Sequence, residues 1–128
     1  MSNVQTNNIV DLSGGIPTVK GQRLIPTAWV NFNGTGTVSI RDSENVSSIT
    51  DNGTGDFSVQ FAAAMVNSNY CVNTTARRAV TNDVIRLNPM GAVSGSAFAS
   101  SSIRMIAYND GPSREDIETA CVTILGGQ

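Results

Sequence analysis

The stretch that decides the fold is residues 28–61, which read AWVNFNGTGTVSIRDSENVSSITDNGTGDFSVQF. Short apolar runs alternate in it with clusters of turn-forming residues. Phe57, Val59 and Phe61 are separated by single polar residues, the spacing of a strand with one buried face. The Asn-Gly pair at 52–53 is a strong hairpin signal, because both residue types accept positive φ. The stretch therefore predicts consecutive antiparallel strands joined by tight turns.

The first apolar run contains the only tryptophan of the chain. Trp29, Val30 and Phe32 predict an apolar strand. We expect Trp29 to lie in the core rather than to stack on a sugar ring, because large aromatic residues in apolar strands are mostly buried. Further along, Val46 and Ile49 are spaced by three residues. This spacing breaks regular alternation and predicts a β-bulge between them, at the two serines.

Similar short runs continue to the end of the chain. Strands are expected near 70–75, 84–87, 98–107 and 117–125, separated by turns rich in Gly, Asn, Asp and Ser. About eight such strands predict an all-β fold, an antiparallel β-sandwich that forms a jelly-roll-like knob, with a small barrel as the alternative. Only the segment 62–65, Ala-Ala-Ala-Met, favours a helical turn. The predicted core contains Trp29, Phe32, Val38, Ile40, Phe57, Val59, Phe61, Tyr70, Val72, Ile106 and Val122.

The length of 128 residues is enough for one domain with a single core. Residues 1–27 are predicted to form an N-terminal arm or attachment segment, in which 4–10 are a candidate strand and 11–17 a loop. Residues 28–128 are predicted to form the β-sandwich knob domain. A knob of this size is only marginally stable alone, so oligomerisation, which also covers sheet edges, is expected.

Charge and hydropathy exclude several classes of partner. The net charge is −2 and 14% of the residues are charged, so no basic field is present to collect nucleic acid. Arg77 and Arg78 are adjacent and point to opposite faces of a strand, which argues against a shared phosphate clamp. The longest apolar runs are too short for membrane insertion. No signal segment follows Met1, which predicts synthesis in a cytoplasm.

The two cysteines and the acidic turn are candidates for special sites. Cys71 and Cys121 are expected to be free thiols, with a disulfide between paired strands as the alternative. Asp51, Asn52 and Asp56 place oxygen ligands around a glycine, as a calcium loop does. No Glu closes this loop, so a hairpin turn is the preferred interpretation. With no histidine and no C-x-x-C motif, neither a metal nor a cofactor is expected.

The same residues argue against catalysis. The absence of histidine excludes a Ser-His-Asp triad and a Cys-His dyad. Glu115 and Asp116 are adjacent and diverge, which disfavours paired acid–base work. No catalytic residue is predicted, and the chain is expected not to be an enzyme.

The ordered pattern of residues 28–41 and 45–57, continued by 57–61, 62–65 and 69–72, resembles the C-terminal domain of bacteriophage tail-fibre, or receptor-binding, proteins. The resemblance extends loosely to the last strand, Ala120 to Gly126. Residues 6–15 also resemble a segment that precedes the terminal domain of such proteins. Since no shaft, collagen-like repeat or heptads follow Met1, a compact knob or short fibre is expected rather than a long fibre.

The resemblance implies a β-sandwich knob, a homotrimer, which is displayed on the virion and touches the host surface. The expected function is that of a phage virion structural protein, a tail-fibre tip or short tail fibre. The first alternative is a capsid decoration or head-fibre protein, and the second is a fragment of a glycan-degrading tailspike. The expected location is the virion tail.

Candidate contact residues follow from exposure. Tyr108, Asn109 and Asp110 combine an aromatic ring with amide and carboxylate groups on a loop, and they are the candidate contact with the receptor, a host surface glycan or protein. For Tyr108 the alternative is an ordinary tyrosine at the end of a strand. The outer-face residues of one strand, which are Cys71, Asn73 and Thr75, and the N-terminal residues up to Pro26 are candidates for subunit contacts. The N-terminal segment is also expected to attach to other tail or virion proteins.

Overall fold

The computed structural model describes residues 18–19, 22–23, 25–78, 84–90 and 97–127 of the chain. These residues form ten β-strands, and no helix occurs among them. The predicted strand at 4–10 and loop at 11–17 lie outside the described residues. The strands are β1 (Thr18–Val19), β2 (Gln22–Arg23), β3 (Ala28–Asn33), β4 (Ser39–Glu44), β5 (Val46–Gly53), β6 (Asp56–Phe61), β7 (Tyr70–Arg77), β8 (Arg86–Pro89), β9 (Ser102–Tyr108) and β10 (Thr119–Gly126).

Eight of the strands form two four-stranded antiparallel sheets. The first sheet has the order β4-β3-β10-β7 and the second has the order β5-β6-β9-β8, whereas β1 pairs only with β2. The prediction of an eight-stranded antiparallel β-sandwich is confirmed. The first and last strands of the sandwich, β3 and β10, pair at the centre of the first sheet. At one side the two sheets are joined by a hydrogen bond, which Thr74 Oγ1 of the first sheet donates to Leu87 O of the second at 2.7 Å.

The core lies between the two sheets and is built from alternate residues of each strand. Phe32 of the first sheet meets Phe57 of the second, with ring centroids 5.3 Å apart and an interplanar angle of 71°. Edge-to-face contacts of this kind add to the burial energy of aromatic residues. Val38, Ile40 and Val72 of the predicted core are partly buried against it. Its buried predicted members are Phe32, Phe57, Val59, Phe61, Tyr70 and Val122.

Two members of the predicted core point away from the interior between the sheets. Ile106 is buried as predicted, at 1% exposed, although it pairs with Asp56 on the outward side of the second sheet. The core prediction for Trp29 is wrong, because Ala28, Val30 and Phe32 are buried and Trp29 is partly exposed. Successive side chains of a strand point to opposite faces, so the burial of Val30 and Phe32 turns the tryptophan outward.

The predicted irregularities have mixed outcomes. The register of β5 shifts between Val46 and Ser48, which confirms the β-bulge. The helical turn predicted at 62–65 is wrong. The backbone groups of this segment bond elsewhere, since Ala62 N donates to Asn45 O and Met65 N donates to Ser100 O. Tertiary partners thus replace the bonds that a helical turn would make.

A single residue, Asn45, carries the chain from the first sheet to the second. It separates β4 from β5 and has a φ of 53°, a left-handed conformation that asparagine accepts better than most residues. Its Nδ2 donates to Thr27 O and to Ala63 O, both at 3.2 Å, and its Oδ1 accepts from Ala63 N at 2.7 Å. The side chain therefore joins this corner to two loops.

We expect Asn45→Ala to lower the free energy of unfolding by about 2 kcal/mol. The variant loses three side-chain hydrogen bonds, each with a net value of about 0.5 kcal/mol at this partly exposed position, and it places at positive φ an alanine that has no polar side chain to compensate. Asn45→Gly is the matched control, because it loses the same bonds but accepts the backbone conformation. Urea denaturation should rank the stabilities as wild type, then glycine, then alanine. An alanine variant as stable as the glycine variant would show that φ imposes no cost here.

The cysteines are free thiols, which confirms the preferred prediction. Both side chains lie on the outward side of the first sheet, but Cys71 pairs with Leu125 and Cys121 pairs with Thr75. The two cysteines are therefore offset by four residues, about 13 Å along neighbouring strands. A disulfide requires Cα atoms within about 7 Å, so the alternative of a disulfide is excluded.

Candidate functional site

The outward side of the first sheet presents the only tryptophan in a setting of polar side chains. We call this surface the Trp29 face and define it by the outward residues of β3, β4, β7 and β10. Pairing across the strands arranges its residues in rows about 7 Å apart. One row is Glu44, Trp29, Thr123 and Asn73, and the next is Asp42, Asn31, Cys121 and Thr75.

A β-bulge determines the position of the Arg41 guanidinium, which crosses this face. The register of β3 and β4 shifts at Asn31 and Phe32, which leaves Arg41 as the extra residue of β4. Its Nη1 lies 3.2 Å from both Asn31 Oδ1 and Thr119 Oγ1, and its Nη2 donates to Glu118 O at 2.7 Å. Arg41 thus donates its hydrogen bonds to acceptors of the protein itself, and its side chain links β4 to β3 and β10.

Other polar side chains of the Trp29 face have unused hydrogen-bonding capacity. Asn73 and Thr75 are exposed on β7, and Thr123 lies between Asn73 and Trp29 in the first row. Within the part of the chain that the structure describes, no side-chain hydrogen bond engages these three residues. An amide and two hydroxyls are therefore available to a ligand beside a partly exposed indole, a combination suited to binding rather than to stabilising the fold.

The charges of the Trp29 face are separated along the sheet. Asp42 and Glu44 are exposed on the edge strand β4, next to Asn31 and Trp29. At another end, Arg77 Nη1 lies 3.6 Å from Glu118 Oε2, an ion pair longer than a hydrogen bond. The surroundings of the indole are therefore acidic.

The residues predicted to contact a receptor lie at a different place, at the end of β9 in the second sheet. Tyr108 and Asn109 are partly buried, and Asp110 is exposed. Asn109 Oδ1 accepts from Gly111 N at 2.9 Å, which closes a tight turn. Arg86 Nη2 donates to the carbonyls of residues 109 and 110 at 3.2 and 3.1 Å. The structure brings the three predicted residues together, but not with Trp29.

The acidic turn of β5 and β6 forms a hairpin, as preferred, and its last acid is buried. Asp56 is 2% exposed and lies between two arginines that are distant in sequence. Arg104 donates through Nε to Oδ1 at 2.8 Å and through Nη2 to Oδ2 at 2.5 Å, and Arg114 Nη1 donates to Oδ2 at 2.8 Å. The pKa of Asp56 is lowered, chiefly by the hydrogen bond from Arg104 and against the effect of burial. The carboxylate is thus occupied by guanidinium groups.

We expect Asp56 to make the stability depend on pH at the acid end. Its pKa in the folded protein is lower than the ordinary value of 3.8, so its contribution is fully present above that value. The contribution is lost as the pH falls through the lowered pKa. The stability difference between wild type and Asp56→Asn should be constant between about pH 5 and 8 and should shrink below about pH 4. Urea denaturation across pH measures it, and a difference independent of pH would contradict this assignment.

The two adjacent acids of the last loop are also engaged. Glu115 forms an ion pair with Arg78, and Asp116 Oδ1 accepts from Gly55 N at 2.8 Å. Arg77 pairs instead with Glu118, so the two arginines have different partners, as the strand geometry predicted.

A groove at one end of the sandwich adjoins the Trp29 face. Its volume is about 480 Å³. Ile25 and Val66, which are 51% and 80% exposed, make its rim apolar, and Glu44 belongs both to the groove and to the Trp29 face. Its other lining residues are Pro26, Thr27, Asn45, Ala62, Ala63, Ala64, Met65 and Gly127.

Sequence reasoning identified the residue types of the Trp29 face but not their assembly. The alternation of Tyr70, Val72 and Thr74 correctly predicted that Cys71, Asn73 and Thr75 point outward. The signal that could have placed Trp29 with them was the buried parity of Ala28, Val30 and Phe32. Because Ala28 is small, it contributes little to the apolar alternation of β3, and the larger apolar Trp29 beside it suggested the opposite face.

Within the described ranges, no cluster of three or more metal-ligating acids or cysteines occurs. No helix in the same ranges is long and apolar enough to cross a membrane. Comparison of the whole chain with protein-family models, curated proteins and solved structures gives no match.

Proposed function

We propose that the chain is a structural protein of a bacteriophage virion, a tail-fibre tip or short tail fibre, and that it contacts the host cell surface through the Trp29 face. The proposal combines the resemblance of residues 28–72 to tail-fibre domains with the β-sandwich fold. The residues that carry this resemblance form β3 to β6 and the start of β7, which are two hairpins and the corner between the sheets.

One observation carries the choice of surface. Trp29 is the only tryptophan, and it is turned out of a core in which the other large side chains of β3 are buried. Tryptophan supplies a large, rigid contact area at little entropic cost, and it is enriched where proteins bind partners. Its neighbours across the strands are polar, as at a surface that stays hydrated until a partner binds.

We expect Trp29→Ala to weaken the binding of fluorescently labelled protein to host cells at least tenfold, because truncation of an aromatic anchor typically costs more than 1.4 kcal/mol of binding free energy. Flow cytometry over a panel of bacterial strains measures this. Thermal denaturation of the same variant should differ little from wild type, since the side chain is outside the core.

Val84→Ala is the matched control, because Val84 is 61% exposed and does not belong to the Trp29 face. It should bind cells as the wild type does. Unchanged binding by the Trp29 variant would remove the Trp29 face from the proposal. Wild-type protein that binds no strain of the panel would remove the adhesive function itself.

The predicted receptor contact at Tyr108, Asn109 and Asp110 is tested in the same assay. Asp110→Ala removes an exposed carboxylate. The variant keeps the hydrogen bonds from Arg86, because these go to main-chain carbonyls. If this variant loses binding and Trp29→Ala does not, the contact lies at the end of β9.

The alternatives separate by location and chemistry. Mass spectrometry of purified phage heads and tails should find the protein with the tails, whereas its presence in heads indicates a capsid decoration protein.

Incubation with host polysaccharide should release no new reducing ends, and their release would indicate a glycan-degrading enzyme. Light scattering at micromolar concentration should give a trimer mass, and a monomer mass would contradict the proposed oligomer.

A further inference from the structure

We infer that the Trp29 face binds an uncharged pyranose unit of a saccharide, whose ring stacks on the Trp29 indole. This inference rests on the proposed function and specifies the chemistry of its ligand.

The Trp29 face combines one aromatic ring with short polar side chains. Thr123 lies across from Trp29 at a Cβ distance of about 5 Å, and Asn73 is one strand further, about 10 Å from the tryptophan strand. A pyranose has an apolar C–H face and a rim of hydroxyl groups. An indole beside hydroxyl and amide groups matches both parts of such a ring.

The charges beside Trp29 favour an uncharged ligand. Glu44 of β4 lies directly opposite Trp29 of β3, and Asp42 follows in the next row. The guanidinium of Arg41 is directed at neutral acceptors of the protein, namely the Asn31 and Thr119 side chains and main-chain carbonyls. An anionic sugar stacked on Trp29 would therefore meet two carboxylates, whereas the hydroxyl groups of an uncharged sugar can donate hydrogen bonds to them.

The area of the Trp29 face suits a small ligand better than a second copy of the chain. The four strands of the sheet span about 14 Å, and the residues from Thr119 to Leu125 extend about 20 Å along β10, which gives a face of about 300 Å². Each partner of a stable protein interface contributes about 800 Å². The Trp29 face alone is too small for this purpose, but it is large enough for one or two sugar units.

The test uses the intrinsic fluorescence of the full chain, in which Trp29 is the only tryptophan and therefore the only indole reporter. The probes are the methyl pyranosides of glucose, galactose, mannose and N-acetylglucosamine. Methyl glucuronide is the charged match of methyl glucoside. A monosaccharide has about a dozen heavy atoms, so we expect saturable changes with millimolar dissociation constants.

Variants of the Trp29 face show whether the fluorescence change arises from sugar bound there. Asn73→Ala and Thr123→Ala retain the reporter and should weaken binding about three- to tenfold each, the effect of one lost hydrogen bond. Ser48→Ala, on the exposed edge strand of the second sheet, is the matched control and should bind as wild type. Methyl glucuronide should bind at least about fivefold more weakly than methyl glucoside, and Glu44→Gln should narrow this difference.

The outcomes distinguish the inference from the proposed function. If cells bind the protein but no uncharged pyranoside changes the emission, the inference fails and the adhesive function stands. If neither cells nor sugars bind, both fail. Equal affinity for methyl glucuronide contradicts the charge argument. An emission that changes with protein concentration alone, together with a dimer or trimer that Trp29→Ala dissociates, identifies the face as a subunit contact and overturns the inference.

Discussion

Gly55→Ala should lower the free energy of unfolding by about 3 to 4 kcal/mol, the largest single effect that we expect. Gly55 has a φ of 62°, where an L-residue costs about 1 to 2 kcal/mol. A Cβ at this position would lie 2.6 Å from Glu115 N and 2.7 Å from Ala107 O. Both atoms belong to the main chain, and overpacking against main chain adds about 1 to 3 kcal/mol.

These neighbours cannot move apart easily, because hydrogen bonds hold them to each other and to Gly55. Ala107 N donates to Gly55 O at 2.8 Å, and Glu115 N donates to Ala107 O at 3.1 Å. The turn, the end of β9 and the last loop thus meet at one glycine. We expect urea denaturation of the alanine variant to show a lower midpoint with an unchanged slope.

Gly36 provides the matched control for Gly55. Its φ is 60°, yet no atom lies within 4 Å of an added Cβ. Gly36→Ala should therefore cost only the conformational part, about 1 kcal/mol. If the two variants lost the same free energy of unfolding, the close main-chain contacts at Gly55 would add no cost, and overpacking would be excluded as the cause.

Asp56→Asn is the second change with a large expected effect, a loss of about 3 kcal/mol. The side chain of Asp56 is 3% exposed, and replacement of its carboxylate leaves two guanidinium groups without their shared anion. Removal of one partner of a buried ion pair costs about 3 to 5 kcal/mol. We take the lower end, because the side chains of Arg104 and Arg114 are 32% and 47% exposed and can regain water.

The partners of Asp56 allow a graded test by chemical denaturation at neutral pH. Arg104→Gln should cost more than Arg114→Gln, because Arg104 makes two hydrogen bonds to the carboxylate and Arg114 makes one. Glu118→Gln is the surface control, since its partner Arg77 is 70% exposed and such pairs contribute less than about 1 kcal/mol. If the loss in Asp56→Asn did not exceed the loss in Glu118→Gln, the burial of Asp56 would have no consequence for stability.

The strands were predictable to the extent that their alternation was regular. In β10, Ala120, Val122 and Ile124 are buried while their neighbours point outward, as the sequence predicts. The helical turn at 62–65 was not predictable as a loop, because the partners that draw its backbone out of a helix, Asn45 and Ser100, are 17 or more residues away. Local propensity cannot register such distant acceptors.

The candidate site was less predictable than the fold. The outward direction of Asn73 follows from β7 alone, whereas its place beside Thr123 depends on pairing between strands about 50 residues apart. The position of Trp29 depended on which set of alternate residues of β3 faces inward. Because Trp29 and Val30 are both apolar and adjacent, the sequence did not show which of the two is buried.

The sequence by itself determined the all-β class, the number of strands in the sandwich, the hairpin at Asn52-Gly53 and the bulge in β5, because these features depend on spacings of a few residues. The tertiary structure alone decided that Phe32 packs on Phe57 and so turns Trp29 outward, and that Asp56 is buried between Arg104 and Arg114, which are 48 and 58 residues away. Burial and ion pairing are properties of surfaces that meet only when the two sheets close, so a pattern confined to one strand does not contain them.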